Sequence, residues 1–295
     1  MNTAIQRYID EHGREVVYGY SDEVSIQTHE QLEEWREDKK RRELSVGPNR
    51  YYVNCYHEPI AELNDILSVE ELGTMMKLIP YMRMHTDGHL YYGTERMTAQ
   101  LVAKAIGRKL RQTQTILATL VTHDILFREK VGRSFVYGVN DRYHSMGNVV
   151  KGAAFTKLYQ TKTRTDITNL TIHSAGILYK MLPFFNYAHY YLSENPNEID
   201  ASKIRHLSHR KFAEMVNVSR NTINEAMREL RRYGFIMSVE SYGNQLYRIN
   251  PDVMFRKKNE YDEYTESVRE DFAQLRRNYE LHGELPGIDS DDLPY

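Results

Sequence analysis

An internal repeat restricts this chain more than any other feature. Shifted by 110 residues, the stretch "MTAQLVAKAIGRKLRQTQTILATLVTHDILFREKVGRSFVYGVN" falls without a gap on the stretch that starts at Leu207. Met97 meets Leu207, Ala103 meets Ala213, Leu120 meets Leu230, Leu126 meets Ile236, Tyr137 meets Tyr247 and Asn140 meets Asn250. Upstream the shift is 103: Tyr56 meets Tyr159, Leu67 meets Leu170, Gly73 meets Gly176, Lys77 meets Lys180 and Pro80 meets Pro183. A seven-residue insertion within "SENPNEID" reconciles the two shifts. Identity is low and the apolar pattern carries the match. A fold that satisfies this chain must build the same supersecondary unit twice.

The unit itself is legible in its second copy, "LSHRKFAEMVNVSRNTINEAMRELRRYGFI" (207–236). Ser208 suits the cap of a short helix over Ala213, Met215 and Val216. Asn217 suits a left-handed turn. Ser219 then caps a second helix whose buried face is Ile223, Ala226, Met227 and Leu230, at i, i+3, i+4, i+7 spacing. Gly234 ends it. "FIMSVES" and "QLYRIN" read as two strands around "YGN". Two short helices joined by a tight turn and followed by a hairpin make a winged helix-turn-helix, whose second helix enters the DNA major groove by its N-terminal end. Ser219 and Thr222 suit phosphate contact, whereas Arg220, Asn221 and Asn224 suit base edges. Arg228, Tyr242 and Asn244 complete the candidate set of this copy. An amphipathic helical hairpin with solvated polar residues has the same periodicity.

In the first copy Arg108, Lys109, Arg111, Gln112 and Gln114 occupy the start of the reading helix. Its wing, "EKVGRSF", carries Lys130 and Arg133, placed for phosphates or the minor groove. The second wing, "SYGNQ", is uncharged. The reading helices differ, so two bound copies would read unlike half-sites.

Charge follows the same division. The net charge of −2 argues against nucleic acid, but its distribution does not. Residues 97–143 hold eight Lys/Arg against three Asp/Glu, and residues 203–258 hold twelve against five. Residues 259–295 hold three against eleven. A polyanion meets local rather than total charge.

At these residues the chain resembles tandem winged-helix DNA-binding proteins of Gram-positive phages and plasmids, both replication initiators and small regulators. "SRNTINEAMRELRRYGFI" followed by "YRINPDVMFRKK" carries the resemblance, which covers most of residues 50–258. The first copy departs from it at "GRKLRQTQ", which lacks the Ser/Thr cap, and at "VNDRY", which lacks the Pro. The resemblance implies double-stranded DNA as the partner; the residues themselves hold no catalytic motif, so no enzymatic activity is expected.

The expected fold is therefore mainly α with small β-wings: two tandem winged helix-turn-helix domains plus N- and C-terminal helices. Residues 1–49 read as a charged helical arm around Leu32, Trp35 and Leu44, 50–147 as repeat one, 148–152 as a linker and 153–258 as repeat two. Residues 259–282 read as an amphipathic helix with Tyr261, Tyr264, Val268, Phe272, Leu275 and Tyr279 on one stripe, which suits packing on the body or a homodimer seam. The acidic end, 283–295, reads as disordered. The single cysteine, Cys55, excludes an internal disulfide and a cysteine zinc cage. No apolar run is long enough for a membrane span, and "MNTAIQRYIDEHGRE" lacks a secretory core, so a cytoplasmic location is expected. No phosphate-binding glycine loop with Lys-Ser/Thr occurs. His206 and His209 lack further ligands nearby, so neither metal nor cofactor is expected. Tyr91–Tyr92 and Tyr190–Tyr191 follow histidines at matching places in the two copies and read as core or rim aromatics. Two DNA-binding roles fit, transcriptional regulator and origin-binding replication initiator. A winged-helix scaffold for protein partners is the third alternative.

Overall fold

The computed structural model describes residues 6–13, 15–18, 32–33, 36, 51–147, 149–241, 244–257 and 262–282. They fall into two compact units, 1–48 and 49–295. In the first unit, strands β1 (Gln6–Ile9) and β2 (Glu15–Tyr18) pair antiparallel, with Gln6 opposite Tyr18. The turn between them uses Gly13 at φ +77°. Tyr8, Ile9, Val16 and Val17 are β-formers, and they correct the reading of 1–49 as helical throughout. Leu32, Glu33 and Arg36 are helical, as expected there. The acidic end lies outside the described residues.

The second unit runs β3 (Tyr52–Tyr56), α1 (His57–Leu63), α2 (Val69–Leu78), β4 (Tyr91–Tyr92), β5 (Glu95–Arg96), α3 (Ala99–Ile106), α4 (Leu110–Thr122), β6 (Leu126–Val131), β7 (Ser134–Val139) and β8 (His144–Ser145). It continues with β9 (Phe155–Tyr159), α5 (Gln160–Asp166), α6 (Ile172–Met181), α7 (His209–Met215), α8 (Arg220–Arg232), β10 (Ile236–Ser241), β11 (Asn244–Ile249), β12 (Met254–Phe255) and α9 (Glu263–His282). The element bounds obey the two sequence shifts: β3 to α2 recur 103 residues on as β9 to α6, and α3 to β8 recur 110 residues on as α7 to β12.

The copies do not stand apart. One four-stranded antiparallel sheet, in the order β12–β9–β3–β8, takes two strands from each. In its centre Asn54 pairs with Lys157, its own counterpart, while Tyr52 and Tyr56 pair with Tyr159 and Phe155, the counterparts of each other in reverse. That register is the mark of a pseudo-two-fold axis. Helices α2 and α6 cross on the same axis. A Cβ on Gly73 would stand 1.9 Å from the Ile172 carbonyl oxygen, and one on Gly176 would stand 2.0 Å from that of Val69. Ile172 and Val69 are themselves counterparts, so each helix offers a glycine to the other's first turn. Only a residue without Cβ permits this approach.

Two buried lysines pin the crossing. Lys77 donates to Leu170 O at 2.7 Å, and Lys180 donates to Asn64 O at 2.7 Å and to Val216 O at 3.2 Å. Each thus reaches a carbonyl of the opposite repeat, which replaces the water an ammonium loses on burial. Burial still pulls Lys180 down to about 8. Around these contacts Leu72, Met75, Met76, Ile177, Leu178 and Tyr179 are completely buried.

The whole is a mixture of helices and small antiparallel sheets, with about 47% helix and 22% strand. This corrects the expectation of a mainly α chain with strands confined to wings: the shared central sheet needed a pairing between residues about a hundred positions apart. Helix α9 buries Val268 and Phe272 and packs Tyr264 and Leu275 on the core. Its stripe is therefore used within the chain, and the homodimer seam loses the face it needed. Tyr261 lies outside the described residues. No described helix is long and apolar enough to cross a membrane.

Candidate nucleic-acid interface

The local geometry of repeat two follows its sequence closely. Ser208 Oγ accepts from Lys211 N at 3.3 Å and caps α7. Asn217 takes the left-handed turn at φ +51°. Ser219 Oγ accepts from Thr222 N at 3.2 Å and lies 2.8 Å from Thr222 Oγ1. Ile223, Ala226, Met227 and Leu230 are buried, and Gly234 closes α8 at φ +71°. Glu229 near the end of α8 accepts from Thr171 N at 2.9 Å and Thr171 Oγ1 at 2.7 Å, so α8 is fastened to the N-cap of α6. The Lys180 bond to Val216 O holds the turn before α8 at the other end of α6. The helix is clamped at both ends, and its first turn projects free of the clamps.

On that turn Arg220 and Asn221 are exposed and, among the described residues, engage nothing. Arg228 is exposed further along the helix. Asn224 departs from its expected role. Its Oδ1 lies 2.9 Å from His209 Nδ1, and His209 stacks on Tyr247 at 4.6 Å. Half of the Asn224 amide is thus turned toward the body, because Asn224 stands one residue after buried Ile223 and three before buried Met227 and borders the preceding helix. Tyr242 lies outside the described residues, and Asn244 is described only as the first residue of β11.

Repeat one builds the same frame with other residues. Gly107, at φ +70°, takes the position of Asn217. Lys109 stands at the N-cap of α4 without a side-chain cap. Arg111, Gln112 and Gln114 are exposed on the first turns. Arg108 again departs from expectation: it is half-buried and pairs with Glu70 at 3.1 Å. Its charge is committed within the repeat, to a partner that spacing along α4 does not reveal. Lys130 and Arg133 are exposed at the end of the β6–β7 hairpin, around Gly132 at φ +60°. The surface set that remains is Lys109, Arg111, Gln112, Gln114, Lys130 and Arg133 on one copy, with Ser219, Arg220, Asn221, Thr222 and Arg228 on the other. Under the shift of 110, Lys109 and Ser219, Arg111 and Asn221, and Gln112 and Thr222 are counterparts, and the other members belong to one copy alone.

Val131 and Phe135, also exposed at that hairpin end, were missed in the sequence. The signal was present: in register, "EKVGRSF" lies on "ESYGNQ" and its neighbours, and two apolar residues face polar ones.

The histidines and tyrosines considered for chemistry have structural surroundings. His206 meets Tyr191 edge-on at 4.8 Å, away from the His209–Tyr247 stack. The two tyrosine pairs are not counterparts, contrary to their matching in the sequence. Leu90 N donates to Tyr137 O and Leu192 N to Tyr247 O, which equates Leu90 with Leu192 and so Gly88 with Tyr190. Among the described residues no three His, Cys, Asp or Glu side chains are grouped to hold a metal ion.

The chain matches no protein-family model, no curated protein sequence and no solved structure.

Proposed function

We propose that this is a non-enzymatic, sequence-specific double-stranded DNA-binding protein made of two winged-helix repeats. Its particular role, on this reading, is that of a phage or plasmid transcriptional regulator that grips two half-sites with one chain; the alternative of the same class is an origin-binding replication initiator. The observation that carries the reading is the pair of like helix–turn–helix–hairpin units related by one pseudo-two-fold, each with exposed polar and basic side chains on the first turn of its second helix. The symmetry adds a constraint. Two readers related by a two-fold meet one duplex equivalently only if their axis coincides with a local dyad of the DNA. The half-sites should then be inverted in orientation, unlike in sequence, and about 10 base pairs or a multiple apart on one face.

Competition gel shifts test this. Arg220→Ala with Asn221→Ala should erase preference for the selected site and leave the fold and non-specific binding intact, since each good base contact is worth about 1–3 kcal/mol. Inserting about 5 base pairs between half-sites should lose most of the affinity, and about 10 should restore part of it. Unchanged preference in the double variant sinks the role given to α8. Footprinting across the host genome then separates the roles, with promoter sites for a regulator and a single repeat array for an initiator.

A further inference from the structure

The β6–β7 hairpin has an end that the fold does not explain. Val131 and Phe135 are 47% and 43% exposed there. The Arg128 guanidinium lies 4.6 Å over the Phe135 ring, and Lys130 and Arg133 are exposed beside them. Glu129, the one acid of the hairpin, is held by Arg96 at 3.0 Å and lies 3.1 Å from His89 Nε2. The end is therefore cationic and apolar at once. Val131 pairs with Ser134 at the tip, and Phe135 pairs with Lys130 one rung back, on the opposite face of the ribbon.

Repeat two supplies an internal control. Its hairpin forms the same six-pair ladder, yet in the sequence shifted by 110 Ser238, Glu240, Ser241, Gly243 and Gln245 align with Arg128, Lys130, Val131, Arg133 and Phe135. Hairpin formation needs neither the apolar pair nor the cations. Large side chains left in water on a thin ribbon point to something outside the chain. Three cations around them, with the local acid neutralised, point to a polyanion with apolar slots. The minor groove of duplex DNA, with stacked base steps between two rows of phosphates, has that character. A protein surface would satisfy the apolar pair and leave the cations unexplained.

We infer that this hairpin end is a minor-groove wedge. Val131 leads into a base step beside the half-site of repeat one, Phe135 follows against the groove wall, and Arg128, Lys130 and Arg133 take the flanking phosphates. The insertion kinks the duplex, so repeat one selects its site partly by deformability, favouring flexible pyrimidine–purine steps that α4 never touches. This rests on the DNA-binding reading above.

The test uses the full chain and duplexes selected by it from a random pool, labelled at both ends for energy transfer. The wild type should bend them. Val131→Ser with Phe135→Ser changes only exposed side chains, and an unaltered thermal melt would establish that the fold is intact. This variant should lose the bend, bind about tenfold or more weakly and lose the preference for flexible steps. Lys130→Gln with Arg133→Gln should keep the bend and reduce the log–log salt slope by about two. A serine variant that binds and bends like the wild type overturns the wedge and assigns the patch to a protein. A wild type that binds no duplex overturns the DNA-binding reading instead.

Discussion

Where the chain turns back toward its hairpin, repeat one has Gly88 at φ +79° and repeat two has Tyr190 at φ +63°. Both carbonyls do the same work: Val139 N donates to Gly88 O at 2.8 Å and Ile249 N to Tyr190 O at 2.9 Å. Glycine takes this conformation without penalty, whereas a bulky residue there costs about 1–3 kcal/mol and persists only if its surroundings hold it. The surroundings of Tyr190 come from outside the repeat. Its hydroxyl lies 2.7 Å from Thr265 Oγ1, its ring stacks on Tyr264 at 6.2 Å, and Lys257 Nζ lies 5.1 Å over it. Repeat two thus leans on α9 and on the chain leading into it. Repeat one is self-contained at this turn and leaves its hairpin bare. The lesson is that one backbone plan tolerates different residues wherever a later element can brace them, and the unbraced copy is the one with surface to spare.

The largest expected effect falls where the repeats do not differ. Gly73→Ala and Gly176→Ala each place a carbon about 2 Å from a backbone carbonyl oxygen, and no side chain can swing away to relieve it. Helices α2 and α6 must separate, at about 3 kcal/mol in each case. Urea denaturation should give near-equal losses for the two variants. A difference above about 1 kcal/mol would break the two-fold description of the crossing.

Acid should separate the repeats. Burial pushes His57 and His144 down to about 3, with Arg256 adding to the effect at His57. His57 Nε2 lies 2.8 Å from Thr156 Oγ1, and His144 Nε2 lies 2.8 Å from Tyr179 OH, so both meet repeat two from repeat one. Their counterparts, Gln160 and Met254, do not titrate. An unfolded histidine titrates near 6.5. These groups therefore add stability that is complete above about pH 6.5 and is lost as pH falls toward 3. The loss is about 1.4 kcal/mol per pH unit for each histidine. Denaturation series between pH 6 and 5 should show uptake of nearly two protons from this pair on unfolding, to which His206, lowered by burial and by Arg248, adds. His57→Gln with His144→Met, which copies repeat two into repeat one, should remove most of that slope. A slope that survives both changes places the acid-sensitive groups elsewhere.

Much of repeat two was legible because its determinants are local. A serine cap, a left-handed Asn217, an apolar stripe and a closing glycine each act within one helical turn, so spacing alone locates α7 and α8. The two shifts likewise carried the pattern from one copy to the other, and the element bounds from β3 to α2 and from α3 to β8 follow them to within a residue. The pairing of the repeats was not legible. Gly73 and Gly176 marked the alignment, but a shared position in two copies does not say that the copies touch there. Arg108 and Asn224 failed for the same reason. Periodicity gives the face a side chain leaves from, while Glu70 and His209 lie on other helices. Gly88 and Tyr190 show the converse: the residues that adopt one conformation have nothing in common in sequence, and the nearby tyrosines misaligned them.

The smallest expected effect lies at the starts of α4 and α8, and it tests whether they are interchangeable. The first N–H groups of any helix lack intrahelical acceptors. In α8 Ser219 Oγ serves one of them, on Thr222 N. In α4 Lys109 stands at that position with no side-chain acceptor, although its φ and ψ of −67° and 144° are those of an ordinary N-cap. The backbone is therefore ready for a serine. Ser219→Ala should cost about 1 kcal/mol, and Lys109→Ser should gain a similar amount or somewhat less, because the exposed amide is already hydrated. Thermal melts of the single variants and the pair would read both signs. The pair should nearly cancel, since sites in separate repeats with no shared partner add. If Lys109→Ser instead destabilises the chain, the lysine has a structural task in the free protein. If it stabilises the fold but weakens DNA binding at low salt, its ammonium meets a phosphate where repeat two presents a hydroxyl.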